Sequence, residues 1–231
     1  MTGGASGIGA SIVEAFASQG ADVGFLDIDR ARGEALADSL GVWFRAQDVT
    51  DVGGLKKAVQ DFAQAELDVL VNNVANDERQ AFGDVTPDDW RANLAINLDP
   101  VAFATQAALP ALKASGHASV VNLGSINAIL GPAELPAYSA AKAAILGLTR
   151  SLARAYGGDR IRVNSVMPGW VETERQMQLH LTPEKRAAWL ELCALKGSIM
   201  PEHIADTVLF LASDASERIT GQSFIVDGGR V

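Results

Sequence analysis

Apolar positions along the chain switch repeatedly between a helical and a strand-like spacing. Ile8, Ile12, Val13 and Phe16 share one helical face. Residues 22–26 form a short apolar run after Gly20 and predict a strand. A helix is predicted over 30–40 and a strand over 43–46. Leu55, Val59 and Phe62 repeat at spacings of four and three, which predicts a helix over 51–65. Residues 69–71 read as a buried strand, followed directly by two asparagines. Thr86-Pro87 is a cap followed by a first-turn proline, and the helix it opens runs on to about Leu112. A strand over 119–123 comes next, then a helix through Tyr138 to about Tyr156 that Gly157-Gly158 stops. A strand over 161–166 follows. Thr182-Pro183-Glu184 and Pro201-Glu202 open further helices, and 224–226 is a last strand.

Alternating strands and helices predict an α/β fold, a doubly wound parallel sheet between two helical layers. Right-handed crossovers then put ligands at the carboxyl ends of the strands. At 231 residues and 48% apolar, the chain suits one core and one domain over 1–231. The formal net charge of −9, with no basic run, disfavours nucleic acid and anionic membranes as partners. No apolar stretch reaches the ~18–20 residues of a membrane span. No basic-then-apolar leader opens the sequence, and a soluble cytoplasmic protein is expected. Cys193 reads as a packing residue. His117, His180 and His203 are scattered without metal-ligand spacing, so no metal site is expected.

Two clusters carry chemistry. The opening TGGASGIG places Gly3, Gly7 and Gly9 ahead of the first helix. Glycines there allow a tight turn and close approach of a pyrophosphate, whose charge the helix N-terminus favours. Asp27 lies eighteen residues beyond Gly9, at the end of the next strand, where a carboxylate meets an adenosine ribose. It would repel a 2′-phosphate, which favours NAD over NADP, although Arg30 close by weakens that preference. In YSAAK, Tyr138 and Lys142 are four apart and share a helix face, with Ser125 thirteen residues upstream of Tyr138. A neighbouring ammonium is expected to lower the tyrosine pKa toward working pH, as a general base for an alcohol needs.

These motifs, in order, resemble the short-chain dehydrogenase/reductase family over nearly the whole chain. TGGASGIG, Asp48-Val49, VNNVA at 71–75, Asn97, Ser125, YSAAK, PGWVET at 168–173 and VDGG near the end carry the resemblance. It implies a Rossmann fold with Gly3, Ser6, Gly7, Ile8, Gly9, Asp27 and Ile28 at the cofactor and Asp48 and Val49 on adenine. Asn73, Val74 and Ala75 would wall the site. Pro168, Gly169, Val171 and Thr173 would hold the nicotinamide amide. Tyr138 would be the acid/base, Lys142 its partner and ligand to the nicotinamide ribose, and Ser125 would steady the substrate oxygen. Asn97 would hold a water linking Lys142 to solvent.

The chain departs from the family twice. Asn-Asn-Val-Ala stands where Asn-Asn-Ala-Gly is usual, and overpacking by Val74 and Ala75 would cost ~1–3 kcal/mol beside the cofactor. A doubly wound sheet also needs a central strand before the glycine-rich turn. Only Met1 precedes Thr2, whereas a strand needs ~5 residues. The chain as given is therefore expected to lack that strand, with residues missing ahead of it.

Polar loop residues suit a polyhydroxylated substrate, with Trp170 able to cover a sugar face. NNVANDER, PGWVETERQ and LTPE, with LKGSIMPE, look like bacterial aldose 1-dehydrogenases. That similarity implies oxidation of an anomeric hydroxyl to a lactone with NAD. Candidate substrate contacts are Asn76, Asp77, Ser125, Asn127, Tyr138, Trp170, Arg175 and Gln176, under a covering segment near 170–200. The alternatives are a polyol or 3-hydroxyacyl dehydrogenase and a catalytically silent dinucleotide-binding protein. Asp27 and the −9 charge argue against an acyl-carrier substrate, and intact Ser125, Tyr138 and Lys142 argue against silence. The resemblance also implies a homo-oligomer, tetramer or dimer.

Overall fold

The computed structural model describes residues 1–231. The first half of the chain runs α1 (Gly7–Ser18), β1 (Gly24–Asp27), α2 (Arg30–Leu40), β2 (Trp43–Ala46), α3 (Val52–Ala63), β3 (Val69–Asn72), α4 (Pro87–Asn97) and α5 (Asp99–Ser115). It continues with β4 (Ser119–Leu123), α6 (Asn127–Leu130), α7 (Pro136–Tyr156), β5 (Arg162–Pro168), α8 (Glu174–Leu179), α9 (Pro183–Leu192), α10 (Pro201–Ala212) and β6 (Ser223–Val226). Every strand pair is parallel. β1 pairs with β2, and the other strands follow the order β3-β4-β5-β6.

Residues 1–3 join the two blocks. Thr2 bridges Leu26 on one side and Asn72 on the other, both in parallel sense. Its N–H donates to Val71 O (3.0 Å), Gly3 N–H donates to Leu26 O (2.7 Å), and Leu26 N–H donates to Met1 O (2.9 Å). The place expected for the central strand is thus held at its carboxyl end by Met1 and Thr2. Strand order reverses across this line, which makes it the switch point where ligands of open α/β sheets bind.

Strand residues alternate between the two faces, as the pleat requires. Leu70, Val120 and Val163 pack with Leu55, Val59, Ala104 and Leu112, on the side of α3 and α5. Val71, Val121 and Val166 pack with Ile12, Ile204, Val208 and Leu211, on the side of α1 and α10. A polar seam also crosses the core. Asn72 Nδ2 donates to Thr105 Oγ1 (3.1 Å) and Asn122 Oδ1 (2.9 Å), and Asn122 Nδ2 donates to Thr149 Oγ1 (2.9 Å). All four residues are buried.

One expectation needs correction. The helix opened at Thr86 does not run unbroken to Leu112. Leu98, at φ −126°, ψ −51°, divides it into α4 and α5. The short helices α6 and α8 were not foreseen, because too few residues show a period. The Val74 side chain packs on the core around Leu70, and its Cγ2 lies over Gly3, where a Cβ would come within 2.9 Å.

Asn122 is the hinge of the buried seam. Asn122→Ala leaves Thr149 without its donor and removes one acceptor from Asn72. Loss of ~2–3 kcal/mol is expected in urea unfolding; a loss below ~0.5 kcal/mol would show that the seam carries no stability.

Candidate functional site

A cleft of about 1150 Å³ opens along the carboxyl ends of the strands. That exceeds the ~300–1,000 Å³ usual for one small ligand, and leaves room for a dinucleotide together with a small substrate. All candidate residues except Asn97 line it.

At one end the glycine-rich turn is fixed by its own close contacts. A Cβ on Gly9 would come within 1.7 Å of Gly3 O, and Gly7, at φ +53°, lies against Thr173. Ser6 makes no side-chain cap on α1, so the first-turn N–H groups remain for an anion. Asp27 Oδ2 accepts from Ala5 N–H (2.9 Å) and Oδ1 from Asp29 N–H (3.0 Å). These bonds tie the turn to β1 and leave carboxylate lone pairs for hydroxyl donors. Asp48 Oδ1 accepts from both Thr50 N–H and Thr50 Oγ1 (each 2.8 Å), so Oδ2 is the oxygen left for a base amino group. The cradle, the uncapped helix start and the carboxylate fit a dinucleotide.

Ser125, Tyr138 and Lys142 meet in the middle of the cleft. Proline at the N-terminus of α7 starts the helix two residues before Tyr138, which sets Tyr138 and Lys142 on its inner face. Lys142 is buried, donates to Leu123 O (2.8 Å), and lies 5.6 Å from the centroid of the Tyr138 ring. Ser125 Oγ accepts from Asn127 N–H (3.1 Å). The expected lowering of the tyrosine pKa is not found. Burial, and then the charge of Asp77, push Tyr138 up to about 12, with Ser125 and Arg175 acting the other way. Burial lowers Lys142 to about 8. Desolvation favours the neutral form of each.

The third region is a polar bridge across the cleft. Arg175 on α8 donates to Asn76 Oδ1 (3.0 Å) and pairs with Asp77 Oδ1 (3.1 Å). Gln176 Nε2 donates to Asp77 Oδ2 (2.7 Å), and Trp170 Nε1 donates to Gln176 Oε1 (2.9 Å). Asn97 supports this bridge from behind, accepting from Asn76 N–H (2.9 Å) and donating to Asn76 O (3.0 Å) and Asn93 Oδ1 (3.0 Å). Its side chain is occupied in positioning the loop after β3. Five of the substrate candidates therefore hold one another, and Trp170 also stacks edge-on against Trp189 at 5.6 Å.

Arg30 pairs with Glu34 (3.3 Å) and does not line the cleft. Arg32 lines it instead, held by Asp29 (3.7 Å) and Glu174 (3.4 Å). Sequence reading missed Arg32, Trp189 and Arg230, all of which line the cleft. Arg230 directly follows the VDGG string, so a signal for it was present.

The family model described as enoyl-(acyl carrier protein) reductase matches residues 3–230. The chain belongs to the short-chain dehydrogenase/reductase family. It is 44% identical over 238 residues to a probable galactose dehydrogenase of Rhizobium meliloti, covering 99% of this chain and 93% of that one. It is 43% identical over 234 residues to a D-xylose 1-dehydrogenase of Caulobacter vibrioides, with the same coverage. A 3-oxoacyl-[acyl-carrier-protein] reductase of Chlamydia pneumoniae is 36% identical over 236 residues, covering 99% and 94%. A Thermus thermophilus crystal structure superposes with TM-score 0.90 at 35% identity, covering 99% of this chain and 96% of that one. The family member is an oxidoreductase that uses a nicotinamide dinucleotide and a small-molecule substrate. No helix is long and apolar enough to cross a membrane.

The opposed charges of Asp77 and Arg175 next to Tyr138 give a paired test. For oxidation, which needs Tyr138 deprotonated, Asp77→Asn is expected to move the rising limb of the pH–activity profile to lower pH, and Arg175→Met to move it higher. Shifts in the same direction would exclude electrostatic control by this pair.

Lys142 gives a second test. Its folded pKa of about 8 lies below the ordinary 10.5, so between those values the unfolded chain binds more protons. Stability from this group therefore rises with pH across that window. Wild type minus Lys142→Met, measured in urea at pH 7.5 and 10, should rise by ~1–3 kcal/mol. A flat difference would mean that Lys142 is not desolvated.

Proposed function

We propose that the protein oxidises the anomeric C–OH of an aldose to a lactone with NAD. The observation that carries this reading is the meeting of Ser125, Tyr138 and Lys142 beside the polar wall of Asp77, Gln176 and Trp170. Hydroxyl-rich substrates can exchange hydrogen bonds with such a wall, which an acyl chain cannot do. The galactose and xylose dehydrogenases among the relatives support the same substrate class.

Tyr138 Oη takes the substrate hydroxyl proton. The Lys142 ammonium stabilises the phenolate that does so, and Leu123 O fixes that ammonium in place. Ser125 holds the substrate oxygen as its charge changes. Bound NAD supplies the acceptor for the hydride leaving the same carbon. Gly3, Ser6, Gly7, Ile8 and Gly9 would hold its pyrophosphate, Asp27 and Ile28 its adenosine ribose, and Asp48 and Val49 its adenine. Asn73, Val74 and Ala75 would wall it, with Pro168, Gly169, Val171 and Thr173 at the nicotinamide end. Preference for NAD rests on Asp27, because the nearby Arg32 is already engaged by Asp29 and Glu174.

Appearance of reduced cofactor is the assay, with NAD or NADP against aldoses, polyols and 3-hydroxyacyl esters. Aldoses with NAD should give the highest kcat/KM. Turnover of the acyl esters alone would replace this reading with that of the Chlamydia relative. Tyr138→Phe should still bind reduced cofactor but lose ~10²–10⁴ in kcat; full activity would remove Tyr138 from the chemistry.

A further inference from the structure

The C-terminal turn carries a cation to the substrate end of the cleft. Gly228 and Gly229 adopt φ of 70° and 77°. The Asp227 carboxylate accepts from the N–H groups of Gly229 (2.8 Å) and Val231 (2.9 Å). The two glycine carbonyls accept from Leu195 (2.8 Å) and Ala194 (3.2 Å). This tightly bonded turn sets the Arg230 guanidinium 5.3 Å from the Trp189 ring centroid. Trp189 in turn meets Trp170, which is bonded to Gln176. Arg230, Trp189 and Trp170 line the same cleft as Tyr138.

Arg230 Nε is buried and has no hydrogen-bond partner. Buried donors are almost always paired, and an unpaired one at the wall of a cleft marks the place of an incoming acceptor. The cation–π contact with Trp189 restrains the guanidinium, so less freedom is lost when that acceptor arrives. The neighbouring indoles offer apolar faces to the C–H groups of the same ligand.

We propose that Arg230 is a specificity-determining residue whose Nε–H donates to a substrate oxygen remote from the oxidised carbon. This inference rests on the aldose reading above. An oxygen beyond C3 is the acceptor, either a hydroxyl or the carboxylate of a hexuronic acid.

The experiment compares wild type, Arg230→Met and Arg230→Lys on the most rapidly oxidised aldose, its deoxy forms beyond C3, and the related uronic acid. Both variants keep an aliphatic stem over Trp189, and both lack the Nε–H. One deoxy sugar should raise the wild-type KM about tenfold, with kcat held within about twofold. Each variant should show the same rise on the parent sugar and little further rise on that deoxy sugar. Whichever of uronic acid and neutral sugar has the lower wild-type KM identifies the acceptor as carboxylate or hydroxyl. Variants that weaken every sugar equally, or that instead weaken reduced-cofactor binding followed by fluorescence, overturn the proposal. Wild type that oxidises no aldose removes the substrate reading and this inference with it. Wild-type turnover without that coupling removes Arg230 alone.

Discussion

The junction at residues 1–3 is the constraint on which the site depends. β1 and β3 do not pair with each other, and the N-terminal residues bond to both. Thr2 Oγ1 also accepts from Asn73 N–H (3.1 Å), and Asn73 Nδ2 donates to Gly3 O (2.6 Å). Asp27 holds Ala5 from the other side. The glycine-rich turn is therefore stitched to two strand ends before any ligand arrives. Close approach of Gly9 to Gly3 O then leaves no space for a side chain, which explains why glycine, and not merely a turn-forming residue, stands there.

The same sheet holds Tyr138 and Lys142, the proposed proton-transfer pair, and it does so at a cost. β4 ends at Leu123, whose carbonyl receives the Lys142 ammonium. Burial moves Lys142 down and Tyr138 up, so both charged forms are disfavoured. An apolar residue at position 142 would avoid this penalty. Retaining lysine there makes sense where an ammonium must face a phenol in a water-poor cleft, because its field acts most strongly where solvent is thin.

Much of this was legible in the sequence, and the misses share a cause. Periodicity located the strands and long helices because each buries one face, and the motif order located the cleft residues. Periodicity could not reveal the break at Leu98, because apolar spacing continues through it while the backbone does not. The Tyr138 shift had the wrong sign because local spacing shows the lysine four residues on but not the desolvation both groups share. Arg30 and Arg32 could not be ranked, since their choice of carboxylate depends on Glu174, distant in sequence. Arg175, Gln176 and Asp77 were singled out one by one, yet their mutual bonds span 99 or nearly as many positions.

Those mutual bonds bear on how a substrate gains entry. α8 is held over the cleft by hydrogen bonds and one ion pair, with Arg175 half exposed and Asp77 more deeply placed. An apolar closure would lose its contacts to water each time it opened, and its cost would scale with area. A polar closure exchanges its bonds instead, first for water and then for substrate hydroxyls, and each exchange is nearly neutral. Asn97 keeps the partner loop in place from behind throughout. The bridge is thus suited to ligands that carry hydroxyl groups and poorly suited to ligands that cannot replace what they displace. On the proposed aldose reading, that asymmetry would disfavour an acyl chain without any steric block.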